Sequence, residues 1–170
     1  MQSLILEGFM GSGKTYIGRK LSARLELPFI DTDLEIERRQ QTAIADIFSS
    51  CGEEAFRQME TSMLGGLMLE DTKAVISLGG GAPVREANRR CIRSMGQVFY
   101  LKAPVDILLQ RLRREKEGRP MLKGDDLEST IERLLKAREG LYMSLADHVI
   151  DVSTEDADMV CDSIMEAYVG

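Results

Sequence analysis

The chain has 170 residues, a formal net charge of −6, 44% hydrophobic and 29% charged residues, which fits a single domain with a full-sized core. The acidic balance argues against a nucleic-acid partner, and no apolar run approaches the ~20 residues that a membrane span requires. The 3 cysteines, Cys51, Cys91 and Cys161, form no C-x-x-C pair and His148 is the single histidine, so neither a zinc centre nor a disulfide framework is expected.

The N-terminus enters Leu4-Ile5-Leu6 without a basic leader, so the expected location is the cytoplasm. The first expected strand is Ser3–Glu7. Residues 8 to 15 follow it and read GFMGSGKT, the pattern G-x-x-x-x-G-K-[ST] placed between a strand and a helix. Glycines there let backbone N–H groups turn inward around phosphate oxygens, and the helix N-terminus adds partial positive charge. Lys14 can reach the β- and γ-phosphates, and the Thr15 hydroxyl can meet Mg²⁺. The helix is expected over Gly13–Leu25, with Ile17, Leu21 and Leu25 on one face.

A second strand over Pro28–Asp31 ends in Asp31-Thr32-Asp33. One carboxylate can hold a metal through its water shell and the other can accept a hydrogen bond from an acceptor hydroxyl; capping of the next helix is the plain alternative. Helices are expected over Asp33–Arg39, Thr42–Ser50 and Glu53–Leu69, the last carrying Arg57. A third strand, Ala74–Leu78, runs into three glycines, Gly79, Gly80 and Gly81. Glycines in a row cost backbone entropy, and bare backbone beside a ligand is a reason to use them. A helix over Val84–Met95 and a strand over Gln97–Leu101 follow. Next come a helix over Pro104–Glu115 with Arg111 and an irregular polar stretch, EKEGRPMLKGDD, that contains Arg119. That stretch, about residues 115–126, is expected to be a mobile lid. A helix over Leu127–Ala146 holds Arg138, and a strand over His148–Val152 and a helix over Thr154–Tyr168 close the chain. Strands alternating with helices predict an α/β fold with a parallel sheet, whose ligands gather at the carboxyl ends of the strands. Guanine selection through Asn-Lys-x-Asp is absent, since Asn88 is the sole asparagine, so ATP is the expected nucleotide.

Taken together, GFMGSGKT, DTD, Phe56-Arg57, GGGA at 79–82, Arg119-Pro120 and Arg138 resemble shikimate kinase along nearly the whole chain and in the same order. The resemblance implies one domain over residues 1–170, a three-layer αβα fold of the P-loop, nucleoside-monophosphate-kinase type, and a five-stranded parallel sheet of order 2-3-1-4-5. It implies ATP-dependent phosphorylation of the 3-hydroxyl of shikimate, on the route to chorismate and the aromatic amino acids. Catalysis falls to Lys14, Asp33 and Arg119. ATP binding falls to Gly11, Ser12, Gly13, Lys14, Thr15, Tyr16, Arg111 and Arg119. Thr15 and Asp31 are assigned to Mg²⁺. Asp33, Arg57, Gly79, Gly80, Gly81 and Arg138 are assigned to shikimate, the two arginines gripping its carboxylate and the triplet forming a floor under the ring. A monomer whose partners are shikimate and ATP, with no nucleic acid and no membrane, is expected. A gluconate-type kinase, an adenylate-type kinase and a non-catalytic ATP-binding module are the competing readings. None of them calls for two arginines beside a glycine triplet.

Overall fold

A computed structural model of the chain describes residues 2–114, 126–153 and 156–169. Five strands, β1 (Ser3–Glu7), β2 (Phe29–Asp31), β3 (Val75–Ser77), β4 (Gly96–Lys102) and β5 (His148–Asp151), pair in the order β2-β3-β1-β4-β5. Every pairing is parallel, which agrees with the expected sheet. Around it lie α1 (Lys14–Leu25), α2 (Thr32–Gln40), α3 (Ile44–Glu70), α4 (Glu86–Met95), α5 (Val105–Arg114), α6 (Leu127–Leu145) and α7 (Ala157–Ala167).

Alternate residues of a strand point to opposite faces, so one strand can feed two cores. In β1, Leu4 and Leu6 join Ile17 and Leu21 of α1, Leu112 of α5, Ile131 of α6 and Ile164 of α7. Ile5, between them, joins Ile36 of α2, Leu64 of α3 and Ile92 of α4. Helices therefore cover both faces, and the fold is the expected three-layer αβα sandwich. Burial of each such aliphatic side chain stabilises the fold by about 1.5–3 kcal/mol.

The helix boundaries differ from expectation for local reasons. The two helices expected over 42–69 form one element, α3, that is broken at Gly52 by φ 82° and ψ 169°. Pro83 lies in a short 3-10 turn, Ala82–Val84, and extended Arg85 separates that turn from α4. The last helix begins at Ala157 rather than Thr154 because the Asp156 carboxylate caps it, accepting from the amides of Asp158 and Met159 at 3.0 and 3.1 Å.

The register sets the site. Leu6 and Asp31 both lie level with Ser77. The chain therefore leaves β1, β2 and β3 at one edge of the sheet, bringing residues 8–15, 32–33 and 78–82 together.

Candidate active site

Gly11 (φ 82°) and Gly13 (φ 89°) adopt left-handed backbone in the loop between β1 and α1, a region side-chain-bearing residues avoid. Gly13 is the N-cap of α1, with no side-chain hydrogen bond closing the end and no acid in the first turn. The free amides and the helix dipole thus favour an anion. Lys14 Nζ donates to the carbonyls of Gly8 and Phe9 at 2.8 and 3.1 Å, placing its charge over the same loop.

Thr15, in the first turn of α1, meets Asp31 at the end of β2. The Thr15 hydroxyl donates to Asp31 Oδ2 at 2.6 Å, while Asp31 Oδ1 accepts from the amides of Asp33 and Leu34 at 3.1 and 3.3 Å. Asp31 therefore caps α2 with one oxygen and faces Thr15 with the other. Of the two alternatives that the sequence left open, Asp31 realises the capping one, and its second oxygen stays directed at Thr15. A hydroxyl and a carboxylate brought together beside a phosphate loop are the hard oxygen donors that Mg²⁺ takes, so this pair fits such an ion.

The glycine triplet is packed from both sides. A Cβ at Gly79 would run into the Asp33 carboxylate and lie 3.0 Å from Glu60 Oε1, and a Cβ at Gly81 would overlap the Arg57 guanidinium. At Gly80 a Cβ would lie 3.4 Å from the Gly8 carbonyl and 3.7 Å from the Met10 amide. Two of the three glycines make room for the chain's own Asp33, Glu60 and Arg57, and the middle one lets the triplet lie against the phosphate loop.

Arg57 and Arg138 are nearly buried, 8% and 9% exposed, although they come from different helices. Arg57 Nη1 pairs with Glu60 Oε2 at 2.8 Å, and Nη2 reaches Glu53 Oε1 at 3.3 Å. Burial alone would depress the Arg57 guanidinium, but the Glu60 and Glu53 carboxylates outweigh it and hold it above its usual range. Burial pushes the Glu60 carboxyl up; Arg57 pulls it back, Asp33 raises it and Arg138 lowers it. Asp33 is also pushed up, by burial first and then by Asp31, against the pull of Lys14 and Arg57. Asp33, Arg57, Glu60 and Arg138 thus act on one another as one charge cluster. Asp33 Oδ1 and Glu60 Oε1 are buried acceptors without a hydrogen-bond partner among the described residues, an arrangement that suits ligand hydroxyls.

The remaining expected residues lie apart from this cluster. Ser12 is buried, Tyr16 is 61% exposed, and Arg111 donates to the Val152 carbonyl at 2.6 Å at the end of β5. Arg119 and residues 115–125 of the expected lid lie outside the described residues. Four residues passed over in the sequence belong to the site's frame. Glu60 stands at i+3 from Arg57, the spacing of a helical ion pair, which was a readable signal. Thr32 is fully buried, and its hydroxyl accepts from the Gly79 amide at 2.9 Å. The Tyr142 hydroxyl donates to the Gly80 carbonyl. Glu7, fully buried at the end of β1, is an acid inside an apolar strand run and could have been flagged on that ground.

The shikimate kinase family model matches residues 10–169. A shikimate kinase of Dictyoglomus turgidum is 42% identical over 166 residues, covering 96% of this chain and 95% of that protein. The structure of a shikimate kinase from Acinetobacter baumannii in complex with shikimate superposes with a TM-score of 0.92 at 36% identity, covering 98% of this chain and 92% of that one. A gluconokinase from Sinorhizobium meliloti reaches a TM-score of 0.59 at 15% identity, covering 98% of this chain and 93% of that one, a likeness of fold alone.

Proposed function

The chain belongs to the shikimate kinase family, and on that premise we propose that it transfers the γ-phosphoryl group of ATP to the 3-hydroxyl of shikimate, in aromatic amino acid biosynthesis. The observation that carries this reading is the nearly buried Arg57–Glu60 pair with Arg138 and Asp33, packed around a glycine triplet that lies against the phosphate loop.

The loop amides of residues 11–15 and Lys14 bind the phosphates of ATP and stabilise the charge that shifts during transfer. Tyr16 and Arg111 flank the nucleotide, and Arg119 supplies a further cation to the phosphates. Thr15 and Asp31 would hold Mg²⁺, which would supply charge neutralisation to the phosphates. Arg57 and Arg138 grip the shikimate carboxylate, the planar guanidinium matching its two oxygens. Glu60 keeps Arg57 aimed, and the Gly80 backbone contacts the acceptor beside Gly79 and Gly81. Asp33 accepts a hydrogen bond from the 3-hydroxyl, orients it and takes its proton as the new O–P bond forms and the β,γ-bridging P–O bond breaks. The raised affinity of Asp33 for protons suits that role.

We place the enzyme in the cytoplasm as a monomer. The cysteines are free thiols, as a reducing compartment keeps them. Among the described residues no helix is long and apolar enough to cross a membrane. Coupled ADP release measured in parallel with shikimate, gluconate and AMP tests the reading. Turnover with shikimate alone is expected, and faster turnover with either alternative acceptor would refute it.

A further inference from the structure

Tyr142 lies on α6, one turn beyond Arg138, and is 1% exposed. Its ring packs obliquely on Tyr100, with centroids 5.1 Å apart. Its hydroxyl donates to the Gly80 carbonyl, 62 residues away in the chain. The Arg138 charge, one turn back on α6, acts on the same phenol. Burial above all pushes the Tyr142 phenol up to about 12, so it remains a donor throughout the physiological range. Gly80 in turn lies against Gly8 and Met10 of the phosphate loop. The loop around it is held at two further points. The Gly79 amide donates to Thr32 Oγ1 at 2.9 Å, and Asn88 Nδ2 donates to the Ala82 carbonyl at 2.9 Å. Thr32 and Asn88 anchor the loop to α2 and α4. Tyr142 anchors it to α6, the helix that carries Arg138.

We propose that Tyr142 is a positioning residue for the acceptor substrate, its hydroxyl tying helix α6, which carries Arg138, to the Gly80 carbonyl so that the helix and the glycine triplet form one wall of the acceptor pocket. A buried phenol-to-carbonyl hydrogen bond in a low-dielectric setting holds its two members in mutual register. A buried carbonyl that loses its donor must seek another, which moves the peptide it belongs to. Here that peptide lies between two of the glycines assigned to shikimate. The inference rests on the acceptor site proposed above.

Tyr142→Phe removes the hydroxyl and keeps the ring against Tyr100. KM for shikimate is expected to rise about 3- to 10-fold, as loss of one neutral hydrogen bond implies, with KM for ATP within about twofold of wild type. Tyr100→Phe removes a hydroxyl from the adjoining ring and is expected to leave both constants unchanged. Hydrogen exchange at residues 78–84 should accelerate in Tyr142→Phe and not in Tyr100→Phe. A lowered melting temperature with unchanged KM for shikimate, or equal effects of the two variants, would overturn the proposal. The exchange arm needs no substrate. Unchanged exchange at the triplet sinks the tether, whereas a wild-type protein inactive with shikimate sinks the functional reading alone.

Discussion

Glu7 and Asp33 are both carboxylic acids drawn away from water, but they face different neighbours. Burial pushes Glu7 up to about 8; Lys14 draws it back and Asp147 raises it further. Neither of its oxygens has a hydrogen-bond partner among the described residues. An acid whose folded pKa is raised stays protonated in the folded protein while the unfolded chain ionises, so stability drains away as pH rises from about 4.5 to about 8. Glu7→Gln, which cannot ionise, should gain thermal stability on the wild type steadily between pH 5 and pH 8.5 in paired melting curves. A constant difference across that range would show that Glu7 is already ionised in the folded protein and that its pKa is not raised. Asp33 sits instead among groups that touch the acceptor in the proposed mechanism. Asp33→Asn keeps the shape and removes the anionic acceptor, so kcat should fall by about 10²–10⁴ while nucleotide affinity changes little. Collapse of ATP affinity, measured by titration, would mean that Asp33 serves the metal and that the two aspartate roles are exchanged.

Helices α3 and α6 each contribute one arginine to the proposed acceptor site, and their separate origins make a double substitution informative. A charge-assisted hydrogen bond is worth about 1.5–3 kcal/mol, or roughly 10- to 150-fold in affinity. Arg57→Lys and Arg138→Lys keep the charge and lose the planar fork, so each should weaken shikimate binding in calorimetry and leave ATP binding nearly unchanged. The double variant should lose less than the two singles imply, because both side chains serve one anion. Unchanged shikimate affinity in both singles would eliminate the clamp. At this scale the sequence was legible wherever signals are local. The strands were apolar runs of the right length, and the phosphate loop is a contiguous pattern flanked by a strand and a helix. Helix starts were less legible because capping decided them. Asp156 begins α7 later than periodicity implies, and Pro83 diverts the chain into a 3-10 turn before α4. Thr32 and Tyr142 went unread for another reason. Each acts on the triplet through a contact 47 or 62 residues distant in sequence, and no local pattern announces such a pair.

Across the whole molecule the site exists because the parallel order β2-β3-β1-β4-β5 brings three loops to one sheet edge. The loop after β1 has the form of a phosphate loop, the junction of β2 and α2 supplies two carboxylates, Asp31 and Asp33, and the triplet after β3 lies beside them. Alternation of strands and helices made that architecture readable. It did not reveal that Gly79 and Gly81 clear space for Asp33 and Arg57, since steric exclusion depends on side chains that converge only once the sheet is assembled. In the proposed mechanism the same convergence brings donor and acceptor within reach of one another for phosphoryl transfer. Phosphorus NMR of the wild-type protein with ATP, Mg²⁺ and shikimate tests it most directly. The account predicts that a phosphomonoester resonance grows in step with ADP, depends on shikimate and fails to form with gluconate. ADP accompanied only by inorganic phosphate, or a phosphomonoester formed equally well from gluconate, would contradict it.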